Sequence, residues 1–110
     1  MKMILAVIRP EQLPAVKQAL FDAEIRHMTA SAAIGSAPRS EQQQYRGVKK
    51  EVTLFKRVRL EVAVSEANLE RAVEAIRSGA QVTGGSGKIF VASLDETIEI
   101  SGERGTRVLY

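Results

Sequence analysis

At 110 residues the chain is long enough for one domain, over residues 1–110, and its 45% hydrophobic and 26% charged residues are typical of a folded protein. Its formal net charge of +3 is compatible with anionic ligands but too small to indicate nucleic-acid binding. The absence of cysteine excludes disulfides, thiolate metal sites and thiol catalysis, and it fits a cytoplasmic location. The apolar run at the N-terminus is too short for a membrane span or a signal peptide.

The first half of the chain predicts a strand, a helix and a second strand. Residues 3–8 form a short apolar run that Arg9 and Pro10 close, which predicts a buried strand. Residues 27–34 alternate loosely and predict a second strand. Between them, a helix with Pro14 in its first turn is expected to end near Ala23. Its apolar stripe consists of Leu13, Val16 and Leu20.

The second half repeats this order. Residues 57–64 alternate cleanly and predict a strand, after which Ser65 is the expected N-cap of a helix that ends near Arg77 and Gly79. A strand over residues 88–94, a short edge strand over 97–100 and a tail over 101–110 are expected to follow. One face of the third strand should carry Val58, Leu60, Val62 and Val64, and the other Arg59, Glu61 and Ala63. The helix stripe should consist of Leu69, Ala72, Val73 and Ile76.

This order of elements predicts the α+β class and a ferredoxin-like βαββαβ fold with an antiparallel sheet. Both helices would cover the same face of the sheet. The other face would stay bare, and its apolar residues predict that the chain forms an oligomer.

The glycine-rich stretch VTGGSGKIFVASL, residues 82–94, is the first candidate site. It is not a Walker A loop, because Val82 and Ile89 occupy positions that require glycine and Ser or Thr. It is not a dinucleotide fingerprint either, because a strand follows the glycines. The remaining possibilities are a backbone nest for a phosphate beside Lys88 and a plain flexible turn.

The polar segment over residues 35–55 is the second candidate site. About twenty residues is long for a loop in a compact domain, and loops of that length are often functional or disordered. Tyr45 and the pair Leu54-Phe55, set among lysines, resemble anchors for a partner protein. A solvated loop with scattered charge is the alternative.

Catalysis and metal binding find little support. His27 is the only histidine, so no Ser/His/Asp set forms without it, and the carboxylates show no ligand spacing. An acylphosphatase would need an arginine-bearing phosphate loop after the first strand, and the sequence shows none there. An RNA recognition motif would need paired aromatic residues on the last strand, which residues 88–91 lack. A CutA-like metal-tolerance trimer is disfavoured by the lack of soft-metal ligands.

Four motifs, in order, resemble the PII signal-transduction family (nitrogen regulatory protein PII). The opening MKMILAVIRPEQLPAVKQAL is similar to that family's first strand and helix, and Tyr45-Arg46-Gly47 matches a tripeptide of its T-loop. GSGKIFV, residues 85–91, resembles the B-loop signature, with Ser86 in place of an aspartate. SGERG, residues 101–105, resembles the family's C-terminal ending.

The resemblance implies a homotrimer whose sheets face inward, with nucleotide clefts between subunits and a projecting T-loop at about residues 36–56. The B-loop would span about residues 82–88. Members bind ATP or ADP as regulatory ligands, none of them held tightly as a cofactor. Many also bind 2-oxoglutarate with Mg-ATP. They control a transporter, enzyme or regulator in nitrogen or carbon metabolism by inserting the T-loop, and they are neither enzymes nor membrane-embedded.

The resemblance also implies roles for individual residues. Arg57 matches the family lysine that meets the oxoglutarate carboxylate. The adenosine would lie among Thr29, Gly35, Glu61 and Ala63. The phosphates would lie against Gly85, Ser86, Gly87 and Lys88. The residues of the partner-binding loop would be Tyr45, Arg46, Gly47, Lys49, Lys50, Leu54 and Phe55.

The chain departs from the family pattern at several of these sites. Lys50 and Val48 occupy the positions that are uridylylated or phosphorylated in some members, so neither modification is expected. Glu99 and Ser101 occupy the positions of two phosphate-clamping arginines.

Because two charge-assisted contacts are lost, we expect ATP to bind more weakly than ADP or AMP, unless Arg104 or Arg107 substitutes for the lost arginines.

The alternative function is an interaction module that has lost nucleotide sensing, or that senses another anion such as bicarbonate.

Overall fold

The computed structural model describes residues 1–36 and 53–105. Its main elements are β1 (Lys2–Ile8), α1 (Leu13–Asp22), β2 (Thr29–Ser36), β3 (Leu54–Val64), α2 (Leu69–Gln81) and β4 (Lys88–Ser93). A short hairpin of β5 (Thr97–Ile98) and β6 (Arg104–Gly105) follows. A 3₁₀ turn precedes each helix, at Pro10–Gln12 and at Glu66–Asn68.

The four long strands form one antiparallel sheet in the order β2-β3-β1-β4. This arrangement confirms the ferredoxin-like fold that the element order predicts. The alternation predicted for the third strand is also confirmed, because Leu60, Val62 and Val64 are buried. The core lies between the sheet and both helices, and its largest fully buried apolar side chains are Ile4, Val16, Leu20, Ile25, Leu60, Val62, Val64 and Ile76.

No described element covers the opposite face of the sheet. Leu5 on β1 pairs with Phe90 on one side and Glu61 on the other, so these three side chains share that face. Phe90 is 52% exposed. The bare, partly apolar sheet face expected from the sequence is therefore present in the chain.

Strand β2 continues to Ser36 and strand β3 begins at Leu54, so both extend further toward the segment that joins them than the alternation predicted. Gly35 pairs with Phe55, and Ser36 pairs with Leu54. Leu54 and Phe55, expected as anchors of the loop, therefore lie in a strand. The first strand residue of β2 is Thr29 rather than His27. Pairing across the hairpin supplies backbone hydrogen bonds that the polar sequence of this segment does not reveal.

The second helix does not end near Gly79 as predicted. It continues to Gln81, and Gly79 is buried inside it against α1. A Cβ at this position would lie 2.7 Å from Val16 Cα and 2.9 Å from the Ala15 carbonyl oxygen. The glycine therefore permits close packing of two helices instead of terminating one.

Two smaller expectations are also corrected. Ser65 starts the 3₁₀ turn rather than the helix, and its side chain makes no capping hydrogen bond in the described part of the chain. The predicted edge strand pairs with the tail instead of the main sheet, because a turn through Gly102 (φ 144°) brings Arg104 opposite Ile98. No helix within the described ranges is long and apolar enough to cross a membrane.

Candidate functional site

The glycine loop leaves the end of α2 and packs tightly against β1. Gly84 and Gly87 have φ values of 82° and 139°, which disfavour any residue with a side chain. A Cβ at Gly87 would lie 2.8 Å from the Val7 carbonyl oxygen, and one at Gly85 would lie 2.9 Å from Gln81 Cα. The loop therefore needs glycine both for its dihedral angles and for its contacts.

Two residues at the 3₁₀ turn that precedes α1 hold this loop. The Arg9 guanidinium donates through Nη2 to the carbonyl oxygens of Thr83, at 3.3 Å, and Gly84. Gln12 is fully buried, and its Nε2 donates to the carbonyl oxygens of Ala80 and Ser86, each at 3.2 Å. Its Oε1 accepts from the Arg9 backbone N–H at 2.7 Å.

The sequence patterns predict neither role. They place Arg9 only at the end of the first strand, and a glutamine in a turn carries no periodic signal of burial. One sequence signal does point to the bond between Gln12 and Arg9. In a capping box, a glutamine three residues after the N-cap accepts a hydrogen bond from the N-cap backbone N–H.

A cavity of about 580 Å³ opens beside the loop at one end of the sheet. Arg9, Arg57 and Lys88 line it, together with Ser86 and Gly87 of the loop. These are three positive charges beside a glycine turn, an arrangement that suits a phosphate or a carboxylate.

Arg57 is held from two sides within this cavity. Its guanidinium lies 5.5 Å from the centre of the Phe55 ring, and its Nη1 donates to the Lys56 carbonyl oxygen at 2.9 Å. A stacked guanidinium offers a planar fork to an anion, which the family lysine does not. Gly35 lies beside it, since a Cβ there would contact Arg57 Cγ at 3.5 Å.

A second cavity, of about 320 Å³, contains three of the four residues expected around the adenosine, namely Thr29, Glu61 and Ala63. Met3, Met28 and His27 also line it. Glu61 forms an ion pair with Arg59 at 3.0 Å. Gly35 is separate, because six residues of β2 put it about 20 Å from Thr29.

The predicted nucleotide site is thus split within one chain. The cavity with Thr29 and the cavity with Lys88 share no lining residue. They open at opposite ends of the sheet, since Thr29 pairs with Glu61 at one end of the hairpin and Ser36 pairs with Leu54 at the other.

The C-terminal hairpin presents mainly acidic and small side chains. Glu99 and Ser101 line a cavity with Glu103 that includes no residue of the glycine loop. Arg104 Nη2 donates to Glu96 Oε1 at 2.5 Å, and its Nε donates to Oε2 at 3.3 Å. This bidentate pair engages Arg104, one of the two arginines considered as replacements, whereas Arg107 lies outside the described residues.

Other expectations concern metals and the long loop. Within residues 1–36 and 53–105, no cluster of three or more His, Asp and Glu side chains could hold a metal ion.

The segment over residues 37–52 lies outside the residues that the structure describes. It contains five of the predicted partner-binding residues, Tyr45, Arg46, Gly47, Lys49 and Lys50.

The fold and the site define a class: a small ferredoxin-like domain with a glycine loop and three cations at one end of its sheet. Comparison with known proteins identifies the family. A model of the nitrogen regulatory protein P-II family matches residues 1–104. The chain therefore belongs to the nitrogen regulatory protein P-II family, whose members are regulatory signal-transduction proteins and not enzymes.

Individual relatives cover almost the whole chain. The nitrogen regulatory protein P-II of Rhodospirillum rubrum is 40% identical over 109 residues, which cover 96% of each protein. The nitrogen regulatory protein GlnK1 of Methanosarcina mazei is 38% identical over 104 residues, which cover 91% of this chain and 89% of that protein.

Proposed function

We propose that this protein is a cytoplasmic, trimeric sensor of adenine nucleotides that regulates a partner protein through the segment containing Tyr45, Arg46 and Gly47. The observation that carries the proposal is the glycine loop beside the three cations Arg9, Arg57 and Lys88. A nest of backbone N–H groups with a lysine next to it binds the phosphates of a nucleotide.

The split site supports binding between subunits. The loop cavity and the cavity with Thr29, Glu61 and Ala63 share no lining residue and open at opposite ends of the sheet, so we expect one nucleotide to use cavities of two chains. Two copies that meet through their bare sheet faces would bring opposite cavities together. The exposed Phe90 gives that face an apolar contact surface.

The charges of the hairpin set the expected preference among nucleotides. Glu99 and Ser101 replace the two arginines that the family pattern would place near the distal phosphates, and Arg104 is paired with Glu96. A carboxylate near a triphosphate is repulsive, so ADP and AMP should bind more tightly than ATP.

Arg57 is the residue proposed for a second anion, such as 2-oxoglutarate. It lines the same cavity as Lys88, so an acid bound there would lie beside the phosphates. The same three cations also suit a small anion alone. The second candidate function is therefore an interaction module that senses bicarbonate, or none of these ligands.

A thermal-shift screen distinguishes the two functions. With ATP, ADP, AMP, 2-oxoglutarate and bicarbonate tested separately, ADP and AMP should raise the melting temperature most, because a ligand of the native state stabilises it by RT ln(1 + [L]/Kd). At a ligand concentration of 100 Kd the gain is about 2.7 kcal/mol. If only bicarbonate raises the melting temperature, or if none of the five ligands raises it, the interaction module is favoured.

A further inference from the structure

The loop that is proposed to hold phosphate is fixed through its carbonyl oxygens, and this determines where its N–H groups point. Arg9 and Gln12 bind the carbonyl oxygens of Gly84 and Ser86 from the side of α1. The described chain contains no cis peptide bond. In a planar trans peptide the N–H of the following residue points opposite to the carbonyl. The N–H groups of Gly85 and Gly87 therefore point away from Arg9 and Gln12.

We propose that Arg9 and Gln12 are positioning residues that orient the N–H groups of Gly85 and Gly87 toward a bound phosphate. The inference rests on the proposed nucleotide function and assigns the two residues a role in it. Gln12 does this from a fully buried position, with all three of its hydrogen bonds made to backbone groups. A buried amide satisfied in this way has a single orientation, which it imposes on the loop.

Arg9 has a second function, because it also lines the cationic cavity. Its Nη1 lies 3.5 Å from Glu11 Oε1, and its Nη2 bonds to the loop. A lysine here would keep the positive charge, but its flexible ammonium lacks the fixed planar geometry that directs the two N–H bonds of Nη2 at the carbonyl oxygens of Thr83 and Gly84. Substitution with lysine therefore separates the positioning role from the charge.

Calorimetry with ADP and with adenosine tests the inference, because only ADP uses the phosphate loop. Gln12→Met keeps the volume of the side chain and removes its hydrogen bonds. Affinity for ADP should fall about tenfold, and affinity for adenosine should stay unchanged. Gln18→Met is the matched control, since Gln18 is exposed on α1 and its Nε2 donates to Asp22 Oδ1 at 2.8 Å rather than to the loop. It should change neither affinity.

Arg9→Lys provides a second variant if Gln12→Met folds poorly. It should also weaken ADP binding more than adenosine binding. For both variants, an unchanged ratio of the two affinities would overturn the positioning role and leave only a contribution to stability.

A ligand-free measurement separates this inference from the proposed function. The NMR order parameters of the Gly85 and Gly87 amides should be about 0.85 in the wild-type protein and below about 0.6 in Gln12→Met. If the wild-type protein binds no ADP, the proposed function fails, and these order parameters still decide whether Gln12 orders the loop. Equal values in both proteins would contradict the inference.

Discussion

Replacing Gly79 with alanine should destabilise the protein by about 3 kcal/mol, although alanine is the better helix former. The Cβ would enter the contact between α1 and α2, 2.7 Å from Val16 Cα and 2.9 Å from the Ala15 carbonyl oxygen. Both obstacles are backbone atoms, so no rotation of a side chain relieves the clash. The helices must move apart, and the core beneath them loses contacts.

Thermal unfolding at a fixed protein concentration measures this effect. For a domain of this size the melting temperature should fall by roughly 12 to 24 °C, since each kcal/mol shifts it by about 4 to 8 °C. Ser78→Ala is the control one residue away, on the exposed side of the helix. It should change stability by no more than about 0.5 kcal/mol. A Gly79→Ala protein as stable as the wild type would show that the helices are not packed this closely.

Replacing Lys88 with methionine should weaken ADP binding at least about tenfold, with little change in stability. Lys88 is exposed at the start of β4 and lines the cavity of the glycine loop, so its ammonium group is available to a phosphate. A charge-assisted hydrogen bond contributes about 1.5 to 3 kcal/mol, and each 1.4 kcal/mol is a factor of ten in affinity. Isothermal titration calorimetry measures the change.

Lys17→Met is the matched control for this variant. Lys17 is an exposed lysine on α1 that lines neither of the two cavities proposed to hold the nucleotide. It should leave the affinity for ADP unchanged and reduce the net charge equally, which excludes a general effect of charge. Equal affinities in the Lys88→Met and wild-type proteins would place the phosphates elsewhere.

Much of the fold could be predicted from local sequence patterns. Alternation identified the buried face of β3, with Leu60, Val62 and Val64, and helical spacing identified Val16 and Leu20 on α1. These patterns follow from burial of one face of each element, so a single sequence reveals them.

The errors have a different origin, because they depend on contacts between distant segments. Gly79 carries the signal of a helix end, but its actual role is set by the approach of α1. Leu54 and Phe55 lie in a polar segment, and only pairing with Ser36 and Gly35 makes them a strand. Neither contact can be inferred from the residues beside it.

The candidate site shows the same division. The glycines and Lys88 make the loop a candidate anion site from the sequence alone. The residues that hold the loop, Arg9 and Gln12, come from a different part of the chain and contact it only through the fold. The splitting of the site into two cavities is likewise a property of the sheet, since Thr29 and Ser36 lie at opposite ends of β2.

Calorimetric titration of the wild-type protein with ADP and with ATP tests the central claim most directly. We expect one nucleotide to bind per chain and ADP to bind more tightly than ATP, because Glu99 and Ser101 offer no positive charge to the distal phosphate. Absence of heat with both nucleotides would contradict nucleotide sensing. Tighter binding of Mg-ATP, enhanced by 2-oxoglutarate, would contradict the proposed preference.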